Sequence, residues 1–399
     1  MSSSRRIEMT TRWTLARVAV YWWAVLTALC TFVLIFVGGL VTSHGAGLTV
    51  PDWPNSFGYN MFTFPVSRWV GGIFLEHSHR LIGTFVGLFT ALLAAGLWWV
   101  ESKKEDRWVG ISVVVGVVVL LGFRVMPVFL TLAALAPVAV IVCAFLYRGD
   151  GGRLRWLGMA ALAAVVLQGV LGGIRVVWLK DEIGIFHGML AQAFFVFITL
   201  LAIMTSRRFL ENRWADYEPD PKLRWWALGC TALIFLQLGL GATMRHEHIG
   251  LSIPDFPLAY GQLLPDTSAV AMEKINAFRV ADGQMQTNAL QVWIQMAHRF
   301  VAVLIAAAVF AFCWKARRSV RAVRGWSGVW VAMIIGQIIL GIYTIWSNKA
   351  ADVATLHMAL GALCLLLGGV LTFRLFCGSR TQDFALPDAP NPRLMEQFA

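Results

Sequence analysis

Gly47-Leu48-Thr49-Val50-Pro51-Asp52-Trp53-Pro54 returns in the second half of the chain as Gly250-Leu251-Ser252-Ile253-Pro254-Asp255-Phe256-Pro257. Gly38 and Gly58 recur in register as Gly241 and Gly261, and Glu76-His77-Ser78-His79-Arg80 is answered by Gln295-Met296-Ala297-His298-Arg299. A repeated loop followed each time by a His-Arg pair in an apolar helix divides the chain into two halves and predicts paired ligand sites. The copies differ by one acid, Glu76 against Gln295.

The background of this repeat is a bilayer protein. The chain has 399 residues, of which 58% are hydrophobic and 14% charged, and a mean hydropathy of +0.68; a soluble domain of this size is far less apolar. Apolar runs near 18–42, 69–100, 108–123, 128–147, 156–178, 184–206, 225–244, 291–314, 326–346 and 352–376 approach or exceed the ~20 helical residues that cross a hydrocarbon core. Satisfying the backbone in lipid favours helices over strands. The fold class expected is all-α, with ten spans.

The net charge of +11 could signal nucleic acid, but its placement argues otherwise. Basic residues cluster at Arg5-Arg6 and Arg12, at Lys103-Lys104 and Arg107, at Arg148 to Arg155, at Arg207-Arg208 to Arg224, at Lys315 to Arg324, and at Arg374 and Arg380. These clusters occupy alternate loops, the positive-inside pattern, so the charge reports topology and anionic lipid with no polynucleotide partner. The N- and C-termini are expected to be cytoplasmic, and the outward loops are 43–68, a turn near Arg124, 178–184, 245–290 and 347–351. The six cysteines, Cys30, Cys143, Cys230, Cys313, Cys364 and Cys377, fall within spans or at their ends, so no structural disulfide is expected. With no cleavable signal or convincing transit peptide, a bacterial inner (plasma) membrane is the simplest location.

A second repeat completes each half. Gln168-Gly169-Val170-Leu171-Gly172-Gly173 leads over a short loop to His187, and Gln337-Ile338-Ile339-Leu340-Gly341 leads similarly to His357. Each half thus has four core spans, with a histidine in its second and fourth. Both halves start from the cytoplasmic side, which predicts parallel repeats related by a pseudo-twofold axis along the membrane normal. The segments expected are a cytoplasmic N-terminus (1–17), a first repeat (18–206) interrupted by an inserted hairpin (108–147, broken at Phe123-Arg124-Val125-Met126-Pro127), a cytoplasmic linker (207–224), a second repeat (225–376) and a disordered cytoplasmic tail (377–399).

His79, His187, His298 and His357 all sit early in helices running from outside to inside. A lone intramembrane histidine ordinarily hydrogen-bonds a neighbouring helix, but four at repeated positions suit two bis-histidine sites, each able to hold an iron porphyrin between facing helices. Glu76 is one turn from His79 on the same face. A carboxylate at that depth is costly, so it is read as functional, with pairing to Arg80 or Arg68 as the alternative. Arg80, Arg299, Arg175 and Arg245 are candidate partners for porphyrin propionates, with helix-end snorkelling as the alternative. His77 is expected to point away from His79, and His246 and His248 to be solvated loop residues beside Arg245 and Glu247. The Pro-Asp-Trp/Phe-Pro loops are read as stiff lids, and residues 272–278 as part of a short surface helix.

In their order, spacing and twofold recurrence, these motifs resemble the haem A synthase family: Gly-Leu-x-x-Pro-Asp-Trp-Pro, Glu76-x-x-His79-Arg80, Leu171-Gly172-Gly173 leading to His187, His298-Arg299, and Leu340-Gly341 leading to His357. The resemblance covers about 18–376 except the hairpin. It implies an oxidoreductase that converts the C8 methyl of haem O to the formyl of haem A for terminal oxidases, two hydroxylations giving a geminal diol that loses water. It further implies that His298 and His357 ligate the iron of a haem b cofactor, that His79 and His187 face the iron of the substrate haem, and that Glu76 is the acid associated with catalysis. Haem O synthase, terminal oxidase assembly factors and further copies of the chain are the implied partners. The chain departs from many relatives in lacking a cysteine pair in an outward loop and in carrying the hairpin. Two other readings compete: a two-haem transmembrane electron carrier of quinol or ferric reductase type, and a haem or small-molecule transporter. The unique acid and the paired lids count against the carrier.

Overall fold

The computed structural model describes residues 14–123, 125–146, 152–211, 221–317 and 321–378. The basic cluster at Arg5, Arg6 and Arg12, the turn at Arg124, Arg148, most of the linker, Arg380 and the tail from 379 lie outside the described residues.

Eight helices are long and apolar enough to cross a membrane: α1 (Leu15–Ser43), α2 (Gly71–Glu101), α5 (Arg153–Trp178), α6 (Asp181–Thr205), α8 (Pro221–His246), α10 (Ala289–Ala316), α11 (Arg321–Trp346) and α12 (Ala351–Gly378). Between α2 and α5 come α3 (Arg107–Gly122) and α4 (Met126–Leu146), the expected hairpin; α7 (Arg207–Leu210) is a single turn. At 16 residues α3 reaches only about 24 Å, and α4 carries Pro137 within it; these are the two short members of the expected hairpin, and neither is among the eight full-length candidate spans. In the second long loop, α9 (Ala269–Ala281) extends the expected surface helix, its start capped by the Ser268 hydroxyl.

The helices pack in two rings. In the first, α1 meets α2, α2 meets α5, α5 meets α6 and α6 returns to α1; in the second, α8, α10, α11 and α12 close in the same order. Between the rings α1 lies on α12, α8 on α6, and α6 on α12. Each ring has its own apolar interior. Ala24, Leu93, Leu97, Ala161, Ile198 and Leu201 fill the first; Ala227, Val309, Phe312, Trp330, Leu371 and Leu375 fill the second. Trp330 is fully buried, and its indole N–H is satisfied by the Cys364 carbonyl at 2.9 Å. The seam is closed by Ile35, Phe195 and Ala362, with Phe32 stacked on Phe195. Large apolar side chains such as Leu29, Phe85, Leu88, Phe300, Val303 and Ile339 are exposed on the outer surface, as lipid-facing positions are.

Successive spans alternate in direction, so the loops after α1, α5, α8 and α11 gather at one end. Cysteines placed at Tyr59 and Gln262 should therefore react with a membrane-impermeant maleimide from the same side, and a cysteine at Lys104 only from the other. Labelling of the first two from opposite sides would overturn the arrangement.

Candidate functional site

The four intramembrane histidines each lie against a glycine of an adjacent helix. A Cβ added at Gly38 (α1) would come within 2.9 Å of the His79 ring (α2), at Gly172 (α5) within 3.0 Å of His187 (α6), at Gly241 (α8) within 3.5 Å of His298 (α10), and at Gly341 (α11) within 3.1 Å of His357 (α12). At Gly38, Gly172 and Gly341 the missing side chain makes room for the imidazole, while at Gly241 a Cβ would make only ordinary contact. Four residues before three of these glycines stands a glutamine. The Nε2 groups of Gln168, Gln237 and Gln337 donate to the main-chain carbonyls of His187, His298 and His357 at 2.9, 2.8 and 2.8 Å. At the fourth position, in α1, the residue is Leu34.

Within each ring, the histidine-bearing helices stand at opposite corners, α2 across from α6 and α10 across from α12. His79 and His187 thus share one ring, and His298 and His357 the other. His187 Nδ1 lies 3.2 Å from the Gln168 carbonyl, the outer contact that fixes which ring nitrogen remains for a ligand. Among the described residues Nδ1 of His298 is buried without a partner, while the backbone of Leu34 lies beside His79 and that of Gln337 beside His357. Among the described residues no group of three or more His, Cys, Asp or Glu could hold a bare metal ion. Two opposed imidazoles fit a metal that brings its own in-plane ligands, which is the chemistry of a haem. Gln237 and the glycine backing were missed in the sequence reading; the signal was the recurrent Gln-x-x-x-Gly spacing.

Glu76 and Gln295 occupy the same place. The Glu76 carboxylate accepts from the Val50 amide at 2.8 Å, the Thr49 hydroxyl at 3.0 Å and the Arg80 guanidinium at 2.8 Å. Gln295 Oε1 accepts from the matching Ile253 amide at 2.7 Å, and its Nε2 donates to the Ile253 and Gly250 carbonyls. Both anchor the lid loop to the helix below it. Glu76 is 4% exposed, and among the described residues no hydrogen bond joins it to His79; the alternative pairing with Arg80 is present.

The arginines of the His-Arg pairs serve the lids as well. Arg80 donates to the carbonyls of Val50, Asp52 and Asn55, and Arg299 to those of Asp255 and Leu258. In each lid the aspartate receives two amides, Phe57 and Gly58 on Asp52, Tyr260 and Gly261 on Asp255. The turn so formed puts Phe57 and Gly58 at φ of 51° and 77°, and Tyr260 and Gly261 at 55° and 76°. That left-handed conformation accounts for the recurring glycine. The second lid has an extra brace, Arg279, which donates to the Leu251 and Met285 carbonyls, and the Tyr260 hydroxyl donates to the Ser252 carbonyl. Burial raises the Tyr260 phenol above its ordinary range and keeps it a donor.

Arg175 and Arg245 lie by the seam between the rings. Arg175 donates to the Gly47 carbonyl at 3.4 Å and faces Asp181 at 3.7 Å. Arg245 donates to the Gly39 carbonyl and the Ser43 hydroxyl of α1. His246, expected in a solvated loop, is instead the last residue of α8, buried beside Gly184 and Arg175. The helix runs further than its apolar pattern because the first ring offers α8 a surface to pack on. His248 stays exposed in the following turn. His77 does point away from His79: it is fully buried in the lid, with Nδ1 3.1 Å from the Ser56 hydroxyl and its ring between Phe64 and Trp69. Lys349 lies against Gly250 as Arg175 does against Gly47, and its ammonium is held below the usual range by burial and by Arg245.

Residues 122–368 match the profile of the family described as "Cytochrome oxidase assembly protein" (COX15-CtaA). Curated relatives named "Heme A synthase" from Bacillus cereus (strain 03BB102) and Bacillus anthracis (strain CDC 684 / NRRL 3495) are each 25% identical over 373 residues, covering 90% of this chain and 94% of theirs. The protein of the same name from Bacillus cereus (strain AH187) is 24% identical over the same length.

The anchor geometry makes the two copies a controlled comparison. Glu76→Ala should lower stability by about 3 kcal/mol, since it strands a buried guanidinium and an amide. Glu76→Gln, copying the second half, should cost no more than about 1 kcal/mol. Denaturant unfolding in detergent measures both, and equal losses would refute the shared anchoring role.

Proposed function

Because this chain belongs to the COX15-CtaA family of cytochrome oxidase assembly proteins, we propose that it is an oxidoreductase that converts the C8 methyl group of haem O to the formyl group of haem A. The observation that carries this reading is two glycine-backed histidine pairs at one end of an eight-helix core, with one buried acid beside only the first. In this reading His79 and His187 hold the substrate haem. His298 and His357 would hold a haem b cofactor, whose iron would supply an electron acceptor. The ring-to-ring contacts support a pseudo-twofold axis along the membrane normal, and the alternating basic loops support a bacterial inner membrane with both termini cytoplasmic.

The protein's own residues do the positioning. Gln168, Gln237 and Gln337 tie three histidine-bearing helices to their glycine-bearing neighbours, which sets the imidazoles at a fixed depth. Arg80, Arg299 and the two lid aspartates hold stiff loops over the outer ends of the rings, where they exclude water from the reacting carbon. Arg80, Arg299, Arg175 and Arg245 are the candidate partners for propionates, and each already donates to a main-chain carbonyl near the outer ends of the rings.

Glu76 has a part beyond anchoring. Gln295 holds the equivalent amide without a charge, and Arg299 holds its lid without a carboxylate partner. Its negative charge, paired with Arg80 at 2.8 Å, is more than lid anchoring requires in the second half, and in this reading it serves the first site by accepting a proton or balancing positive charge at the oxidised carbon.

Co-expression with a haem O-producing enzyme, followed by chromatography of the extracted haems, should yield haem b together with haem O or haem A. Haem b alone would favour the two-haem electron carrier, and haem O without haem A in folded protein would overturn the reading. Glu76→Gln should retain both haems while conversion falls by roughly a hundredfold; conversion at the unaltered rate would remove Glu76 from the chemistry.

A further inference from the structure

The inserted hairpin has no counterpart in the second half, and the paired sites leave it without a task. It covers one side of the first ring only, α3 lying on α2 and α4 on α5. It is packed closely: a Cβ at Gly110 of α3 would fall within 2.0 Å of the Trp98 ring, and Val114 and Ala133 are buried. In the second half the corresponding outer positions of α11, among them Ile335, Ile339 and Tyr343, are exposed.

At its outer end the hairpin reaches the first lid. Phe129 of α4 meets Trp53 edge to face, with ring centroids 4.7 Å apart and planes at 61°. Trp53 also fills a notch in α5, where a Cβ on Gly173 would stand 2.3 Å from the indole. Gly173 is the neighbour of Gly172, the glycine that backs His187. The lid tryptophan is thus wedged between the hairpin and the helix that cradles one imidazole. Both features are missing from the other copy: Ile342 follows Gly341, and the lid residue is Phe256, which lies under the Arg299 guanidinium at 5.5 Å.

We propose that the hairpin is a positioning element for the first site: Phe129 presses Trp53 into the Gly173 notch and thereby fixes the first lid beside His187, limiting how readily that site opens. Physically, an edge-to-face aromatic contact resists rotation of the indole, and the glycine notch lets the ring approach the helix backbone closely. The clamp stands on geometry alone; only the identity of the ligand it confines, a haem, rests on the function proposed above.

Hydrogen exchange of the full-length protein in lipid nanodiscs tests it, with the second lid as an internal control. In Phe129→Ala the amides of residues 47–58 should exchange roughly tenfold faster while those of 250–261 keep their rate. Trp53→Phe, which copies the second half and leaves the hairpin untouched, should show the same selective change. Unchanged exchange in the first lid, or equal acceleration of both lids in both variants, would overturn the clamp. Selective acceleration in a protein that yields only haem b would leave the clamp standing and refute the proposed reaction.

Discussion

An imidazole buried at membrane depth needs space in a helix pair that otherwise packs at van der Waals contact, and a glycine on the facing helix provides it. The rest of the architecture is arranged around that requirement. Gly38, Gly172 and Gly341 each admit one ring, Gly241 lies in ordinary contact with the fourth, and the four histidines stand on opposite corners of two four-helix rings. The glutamine one turn before three of those glycines then bonds the histidine carbonyl across the same helix pair. Close approach and the interhelical hydrogen bond reinforce each other, since small residues let backbones near enough for a side-chain amide to reach a main-chain oxygen.

Asymmetry between two similar halves is the more informative layer. Anchoring a lid needs only an acceptor for one amide, which glutamine supplies as well as glutamate. The first half nevertheless carries a charged anchor and has to balance it with Arg80 at 2.8 Å. It also carries a hairpin, a tryptophan where the other lid has phenylalanine, and a second glycine to receive it. The second half replaces these with a neutral anchor and an additional brace from Arg279. One half carries the charge and the extra aromatic packing, the other a neutral anchor and an extra brace.

Much of this was legible in the sequence. The duplicated lid, the four histidines, the parallel halves and the inserted hairpin all follow from recurrence and hydropathy, because repeats and apolar runs are properties of the chain itself. The glycine backing was visible as Gly38 and Gly241 in register, but its purpose required knowing which helices are neighbours. Arg80 and Arg299 read equally well as partners for an anionic ligand or as structural groups, and only the positions of the lid carbonyls decide between those uses. His246 was misplaced because the apolar pattern of α8 stops before the helix does; packing against the first ring carries it further. The span count was similarly ambiguous, since apolar composition alone does not distinguish a 16-residue helix from a full crossing.

Leu34 stands where the other three glycine-bearing helices carry glutamine. The contact between α1 and α2 at His79 is consequently held by apolar packing, with no directional bond from a side-chain amide to the histidine carbonyl. The bonds that do join α1 to α2 lie further along the pair, where the Trp23 indole donates to the Phe89 carbonyl at 2.9 Å and Arg17 pairs with Glu101 at 2.8 Å. Depth at His79 is therefore set by contacts spread along two whole helices, where at the other three histidines one amide sets it locally.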